Sequence, residues 1–260
     1  MCATPIGHLA DASFRLIETL KQVDLIAAED TRVTRKLLDH YQIQTPMISL
    51  QKYNEFQKSQ AILDRILLGQ DVALVSDAGT PAISDPGAYL VAQLKDQVPV
   101  IPIPGPSALS TFVSVSGILA DSFCFFGFIA RKVQDRQAQL KDADHCPAIF
   151  FESGKRIQKT LEWICQEYPG YQMVIAKELT KRHETIWYDY QKWLTSIESD
   201  PSCLKGEWIF SVQGSVKTND PTQEWVDSLK AKGLSVDQII WIGQTYHGFS
   251  RNDLYRLFHV

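Results

Sequence analysis

Residues 72–108 read VALVSDAGTPAISDPGAYLVAQLKDQVPVIPIPGPSA. Two short apolar runs in it, Val72–Val75 and Val98–Ile103, are rich in β-branched residues and predict strands of a buried parallel sheet. Each run empties into a loop dense in small and turn-forming residues, Ser76-Asp77-Ala78-Gly79-Thr80-Pro81 and Pro104-Gly105-Pro106-Ser107. A helix over about 87–95 is expected between them. Ligands of open α/β sheets sit beyond the carboxyl ends of the strands. Small residues there let a ligand approach backbone N–H and C=O groups closely. Either loop alone would read as turn punctuation. Two matched loops in successive units point to a binding site.

Outward from this unit, Val23–Ala28 predicts another buried strand, ending in Glu29-Asp30-Thr31-Arg32. Asp30 is placed to cap a helix over about 31–41, and Arg32, Arg35 and Lys36 put three cations at its start. Phe14, Leu16, Ile17 and Leu20 mark the inner face of an earlier helix; Phe56, Ile62, Leu63, Ile66 and Leu67 mark that of a helix over 53–68. Ile48–Leu50 is a further short strand. Pro106 suits the first helical position and Ser107 a cap for a helix reaching Val115.

After residue 117 the pattern changes. Strands are expected at 123–129, 148–151, 173–176 and 208–212, with helices at 134–141, to Trp163 and near Trp193, and polar residues again crowd the strand ends. Asn219-Asp220-Pro221 marks a boundary before three short helices at 222–232, 236–246 and 251–258, with Gly233 and Gly248 as breaks. The expected architecture is α/β throughout: a domain over 1–116, a second over 117–219 facing it across a cleft, and a helix-turn-helix-like segment over 220–260, which reads equally well as a helical cap.

Composition narrows the class. Of 260 residues, 45% are hydrophobic and 22% charged, and the net charge is −4. No apolar run is long enough to span a bilayer, and no secretory signal is visible, so a cytoplasmic protein is expected. An acidic chain would have to meet RNA through a local patch such as Arg32, Arg35, Lys36, Arg131 and Lys132. Five irregularly spaced cysteines without C-x-x-C predict neither a disulfide framework nor a zinc site, and six scattered histidines predict no catalytic metal. P-loop, G-x-G-x-x-G, G-x-S-x-G and H-E-x-x-H signatures are absent.

The runs ATPIGHL, AAEDTR with TRKLL, LVSDAGTPAISDPG and PIPGPSAL closely resemble the ribosomal RNA small-subunit methyltransferase I family of the tetrapyrrole-methylase superfamily. FFGFIARK, FFES, KELTKRHET, KGEW and the terminal LSVDQIIWIGQTYHGFSRNDLYRLF continue the likeness over nearly the whole chain. The resemblance implies two α/β domains of the tetrapyrrole-methylase type with S-adenosylmethionine between them. It also implies 2′-O-methylation of a cytidine ribose in 16S rRNA, free or in the small ribosomal subunit, and a homodimer. Carried over, Pro5 and Gly7, then Asp77, Gly79, Thr80 and Ile83, then Ser107 and Ala108 would meet the cofactor. Asp77 would supply an anion, Gly79 clearance, and the start of the helix at Ser107 and Ala108 N–H groups for a carboxylate.

A ribose hydroxyl attacks only as its proton is drawn off, and Asp30, Glu29 and Glu152 are the candidate bases. Asp30 with Arg32 is the preferred pair. Lys177 and Arg32 would alternatively hold a developing alkoxide or a phosphate, and Glu152 and Lys177 would otherwise pair with each other. Two departures from the family stand out. Only Met1 and Cys2 precede ATPIG, which predicts either a short first strand or a truncated start. Glu152-Ser153-Gly154-Lys155-Arg156 replaces the usual Glu-Ser-Pro-His-Arg, removing a histidine and predicting a looser turn at Gly154. Methylation of a small tetrapyrrole on the same fold, or RNA binding without catalysis, are the alternatives; the basic cluster and helical tail favour RNA, and the intact loops favour catalysis.

Overall fold

A computed structural model of the chain describes residues 1–51, 53–119, 122–141, 143, 146–214, 223–247 and 249–258. Its first half is built on β1 (Leu25–Ala28), β2 (Met47–Ser49) and β3 (Val72–Val75). They form a parallel sheet of order β2-β1-β3. Helices α1 (Phe14–Gln22), α2 (Thr31–His40), α3 (Glu55–Leu67), α4 (Ala88–Leu94) and α5 (Ala108–Ser116) surround it. β1 is buried at every position, as a strand covered on both faces must be. Leu16, Leu20, Ile26, Leu38 and Ile62 are sealed from solvent around it. Burial of each such side chain contributes about 1.5–3 kcal/mol.

Four expectations need correction here. Val98–Ile103 forms no strand: only Ile103 bridges, to Cys2. Pro99 and Pro102 have no N–H to give a ladder, so the β-branched run cannot be zipped in. Instead residues 1–4 lie beside β3. The Cys2 N–H donates to the Leu74 carbonyl at 2.9 Å, the Ala3 N–H to Ile103 O at 3.1 Å and the Ile103 N–H to Met1 O at 2.8 Å. Residues 1–4 form no strand of their own, only isolated bridges, and are held through bonds to both neighbours. Phe14 and Phe56 at helix starts, and Leu67 at a helix end, stand in solvent, not on the inner faces. Ser107, not Pro106, flanks α5, and its hydroxyl caps nothing.

The second half is a five-stranded sheet of order β4-β5-β8-β6-β7. Its strands are β4 (Cys124–Phe128), β5 (Ala148–Ser153), β6 (Gln172–Lys177), β7 (Thr185–Trp187) and β8 (Glu207–Gln213). One face packs on α6 (Val133–Leu140), α7 (Ile157–Glu167) and α8 (Tyr190–Ser199), with Phe150 stacked on Phe210 at 5.4 Å and Trp193 buried. The other face, with Ile149, Ala176 and Ile209, packs on Ile6 and on Phe112 of α5, and this apolar seam joins the halves.

Helices α9 (Gln223–Ala231), α10 (Val236–His247) and α11 (Arg251–Arg256) close the chain around Ile240, Phe249 and Leu254. Gly243 lets α10 approach α11: a Cβ there would sit 2.7 Å from Leu254 Cδ1. The boundary expected at residues 219–221 and the break at Gly248 lie outside the described residues. Among the described residues no helix is long and apolar enough to cross a membrane.

Candidate active site

A cleft of about 380 Å³ opens beyond the carboxyl ends of β1 and β3, between the two sheets. That volume is ordinary for a small-molecule site. One wall is backbone. The Thr4 and Gly79 N–H groups donate to each other's carbonyls at 2.9 and 3.0 Å, and Thr80 Oγ1 donates to Pro106 O at 3.1 Å. These bonds lace three loops, residues 4–7, 76–81 and 104–108, into one rim. Gly79 sits at φ +80°, where a Cβ would press to 3.2 Å of Ile6 Cγ2. Beyond it, Ala82 and Ser84 hold left-handed backbones at φ +70° and +69°. Such conformations cost about 1–3 kcal/mol each and persist where surrounding structure imposes them. Here the buried Glu55 carboxylate is the clamp: it accepts the Gly87 and Leu90 N–H groups at 2.9 and 3.0 Å, fixing the far end of the loop to the start of α4.

Asp77, Gly79, Thr80, Ile83, Ser107 and Ala108 all line the cleft. Pro5 and Gly7 do not; Ile6 between them does. Gly7 faces the other half, where a Cβ would overlap the Lys181 side chain and come to 2.7 Å of Thr180 Oγ1. The His8 N–H donates to that hydroxyl at 3.2 Å.

The proposed acid–base residues separate. Asp30 caps α2, accepting the Arg32 N–H at 2.8 Å, and both of its oxygens are held by the Arg32 guanidinium, at 3.0 Å from Nε and 2.6 Å from Nη2. Those bonds hold its carboxyl down from an ordinary 3.8 to about 2. Neither Asp30 nor Arg32 lines the cleft. Glu152 reaches the cleft lining, but its carboxylate is buried behind the sheet, accepting from Thr160 Oγ1 at 3.0 Å and pairing with Arg156 at 3.2 Å. Lys177 is not its partner; the ammonium lies 5.8 Å from the centre of the Trp208 ring. The turn expected to loosen at Gly154 is tight: its N–H donates to Gly206 O at 3.2 Å, and a Cβ would overlap the Leu204 carbonyl.

Glu29 is different. It lines the cleft, and the closest bond to its carboxylate among the described residues is the Asp77 N–H at 3.4 Å. Burial pushes its carboxyl above the ordinary 4.5; the charges of Asp77 and Asp30 push the same way, and the Asp77 N–H opposes them. Burial raises Asp77 as well, although its Oδ1 accepts the Asp30 N–H at 2.8 Å. The sequence favours Asp30 over Glu29, because residue type does not disclose which carboxylate an arginine has already claimed.

The opposite wall is side chain, from Phe128, Phe151, Leu179 and Ile209, while the Trp208 ring turns to the core face against Trp193. Its carboxylates are paired in place. Lys181 Nζ bridges Glu178 at 2.9 Å and Glu207 at 2.8 Å, and Glu178 also accepts the Glu207 N–H at 2.9 Å. No pattern in the sequence marks the aromatic wall, or Glu178 and Glu207, as part of a site.

The donors and acceptors fit S-adenosylmethionine. Uncapped N–H groups where α5 begins at Ser107 and Ala108 suit a carboxylate, Asp77 suits a cationic group, and the cleft has the size for a nucleoside.

Comparison with known proteins agrees. The family model for Tetrapyrrole (Corrin/Porphyrin) Methylases matches residues 2–189. The chain is similar to the ribosomal RNA small subunit methyltransferase I of Haemophilus influenzae, with 38% identity covering 98% of this chain and 93% of that protein. The protein of the same name from Halalkalibacterium halodurans is 36% identical, covering 100% of this chain and 93% of its own. A crystal structure of diphthine synthase superposes with a TM-score of 0.60 at 13% identity, over 81% of this chain and 87% of that one, which speaks to fold alone.

Proposed function

The chain belongs to the tetrapyrrole methylase family, and on that premise we propose that it transfers a methyl group from S-adenosylmethionine to the 2′-hydroxyl of a cytidine ribose in 16S rRNA. The observation that carries this reading is the laced three-loop rim with a half-buried carboxylate, Glu29, beside it in one cleft. Relatives named for ribosomal RNA methylation, matched over almost the whole chain, favour RNA over a small tetrapyrrole and catalysis over binding alone. We place the protein in the cytoplasm, acting as a homodimer on rRNA or on the small ribosomal subunit.

The cofactor supplies an activated sulfonium methyl group, so much of the acceleration comes from alignment. Asp77, Gly79, Thr80, Ile83, Ser107 and Ala108 would hold it, and Gly7 packs the first loop against Thr180 and Lys181. Glu29 draws the ribose proton: its raised affinity for a proton brings it towards working pH, where a general base is most effective. Asp30 and Arg32 support it. The Asp30 N–H holds Asp77, and the Arg32 side chain, 89% exposed, is free to meet phosphate on its outer face. Glu152 and Lys177 act from behind the sheet, by fixing β5 to α7 and by supporting Trp208.

Two measurements test the proposal. Calorimetry should show S-adenosylmethionine binding. Primer extension at low nucleotide concentration, on small-subunit RNA incubated with protein and cofactor, should gain one ribose-methyl stop. Binding without a stop on either free rRNA or subunits would refute the RNA reading; no binding at millimolar cofactor would refute the enzyme.

A further inference from the structure

β4 is an edge strand, and it carries an irregularity. Cys124 pairs with Ala148 and Phe125 with Ile149, but Phe151 then pairs with Phe128, one residue late. The extra residue falls at Gly127, at φ +68°. Bulges are uncommon in parallel pairs and concentrate beside active sites, where they re-aim a side chain. Here the effect is visible in the rings. In a regular strand Phe126 and Phe128 would share a face. Instead Phe126 stacks on Phe150 of the core face at 5.4 Å, while Phe128 turns to meet Phe151 on the cleft face at 5.8 Å. A Cβ at residue 127 would lie 3.0 Å from Ser84 Oγ, so the bulge is seated on the strained loop of the opposite wall.

The ring delivered this way is not buried. Phe128 lines the cleft yet is 56% exposed, with Phe151 behind it. The chain that follows is pinned: the Ala130 N–H donates to Gln139 Oε1 at 2.9 Å and Ala130 O accepts from Arg136 Nε at 2.8 Å. From that fixed point Arg131 and Lys132 project into solvent, and neither makes an ion pair among the described residues. A flat exposed ring at a cleft mouth, followed by two uncommitted cations, matches single-stranded RNA: an unstacked base takes the ring and its phosphates take the cations. The adenine of the cofactor is the poorer occupant, since the residues assigned to the cofactor lie on the other wall.

We propose that Phe128 is the stacking platform for the cytosine base of the nucleotide being methylated, with Arg131 and Lys132 holding the flanking phosphates. This rests on the ribose-methylation reading above. The test compares Phe128→Ala and Phe128→Trp with the wild-type full chain, using small-subunit RNA carrying a fluorescent cytidine analogue at the target. Phe128→Ala should lower kcat/KM for RNA by about 10–100-fold and abolish quenching of the analogue, with the cofactor Kd unchanged. Phe128→Trp should restore both. Unchanged kcat/KM and quenching in Phe128→Ala would overturn the proposal alone. So would a cofactor Kd weakened by the same factor, which would give the ring to adenine, or a sedimentation shift to monomer, which would give it to a second copy. Wild-type protein that methylates no RNA would overturn the function beneath it and this proposal together.

Discussion

The two walls of the cleft are made of different material. The wall from the first sheet is backbone and unpaired carboxylate: three loops laced by main-chain bonds, with Glu29 and Asp77 pushed up by burial. The wall from the second sheet is apolar side chain, and the carboxylates around it are paired within the wall by Lys181 and Arg156. A wall of fixed dipoles and uncompensated anions is suited to grip a small cation and take a proton. A wall of flat rings with its carboxylates tied down is suited to read shape. The division predicts that damage to the first wall is lost in turnover or cofactor affinity, and damage to the second in stability or RNA recognition.

The largest effect should come from Glu29→Gln. Removing a general base costs about 10²–10⁴ in kcat, and single-turnover methylation would measure it. The same variant should melt higher at neutral pH. A carboxyl whose folded pKa lies above its ordinary 4.5 favours folding only below that value, and the benefit is lost as pH rises through the raised one. The gain in Tm should therefore vanish below about pH 4.5. Full activity with the higher Tm would leave the first wall without its base.

Glu152→Ala should behave in the opposite way. It strands Arg156 beside the sheet and should destabilise the fold by about 3 kcal/mol in urea unfolding. The lower end of the usual range applies because Arg156 is 27% exposed and keeps the Ile129 and Ala130 carbonyls as acceptors. At temperatures where it is folded, turnover should persist. A folded but inactive Glu152→Ala would put chemistry on the second wall and break the contrast. Gly79→Ala comes next. Its φ of +80° and the 3.2 Å approach to Ile6 give a penalty of about 1–3 kcal/mol, which should appear as a weaker cofactor Kd in calorimetry, at unchanged RNA affinity.

The contrast also separates what the sequence discloses from what it hides. The first wall was legible because backbone sites need glycine, proline and small residues in fixed places: Ser76–Pro81 and Pro104–Ser107 announce themselves. Val98–Ile103 misled because β-branched content was read without asking which residues could donate; Pro99 and Pro102 could not. The second wall was hidden for a different reason. FFGF names four residues but not the bulge at Gly127 that turns one ring around, since register belongs to the partner strand. Likewise Glu29, Asp30 and Glu152 are equivalent as letters. Arg32 and Arg156 distinguish them, and those partnerships exist only in three dimensions.

Asp30 is the residue on which the sequence and the structure pull hardest apart, and the smallest effect should be found there. Its oxygens are engaged by Arg32 and by the start of α2, and a carboxyl held at about 2 is a weak base at working pH. Asp30→Ala should keep cofactor binding and lose less than about tenfold in kcat, well short of the loss for a general base. Its cost belongs to the helix cap and should be read in acid. A carboxyl depressed from 3.8 to about 2 stabilises the fold above its ordinary value and loses that contribution as pH falls through the lower one. The Tm difference between wild type and Asp30→Ala should be constant from about pH 8 to 5 and close between about pH 4 and 2. If kcat instead falls as far as in Glu29→Gln, the proton passes through Asp30, Arg32 must release it during turnover, and the first wall is a moving part.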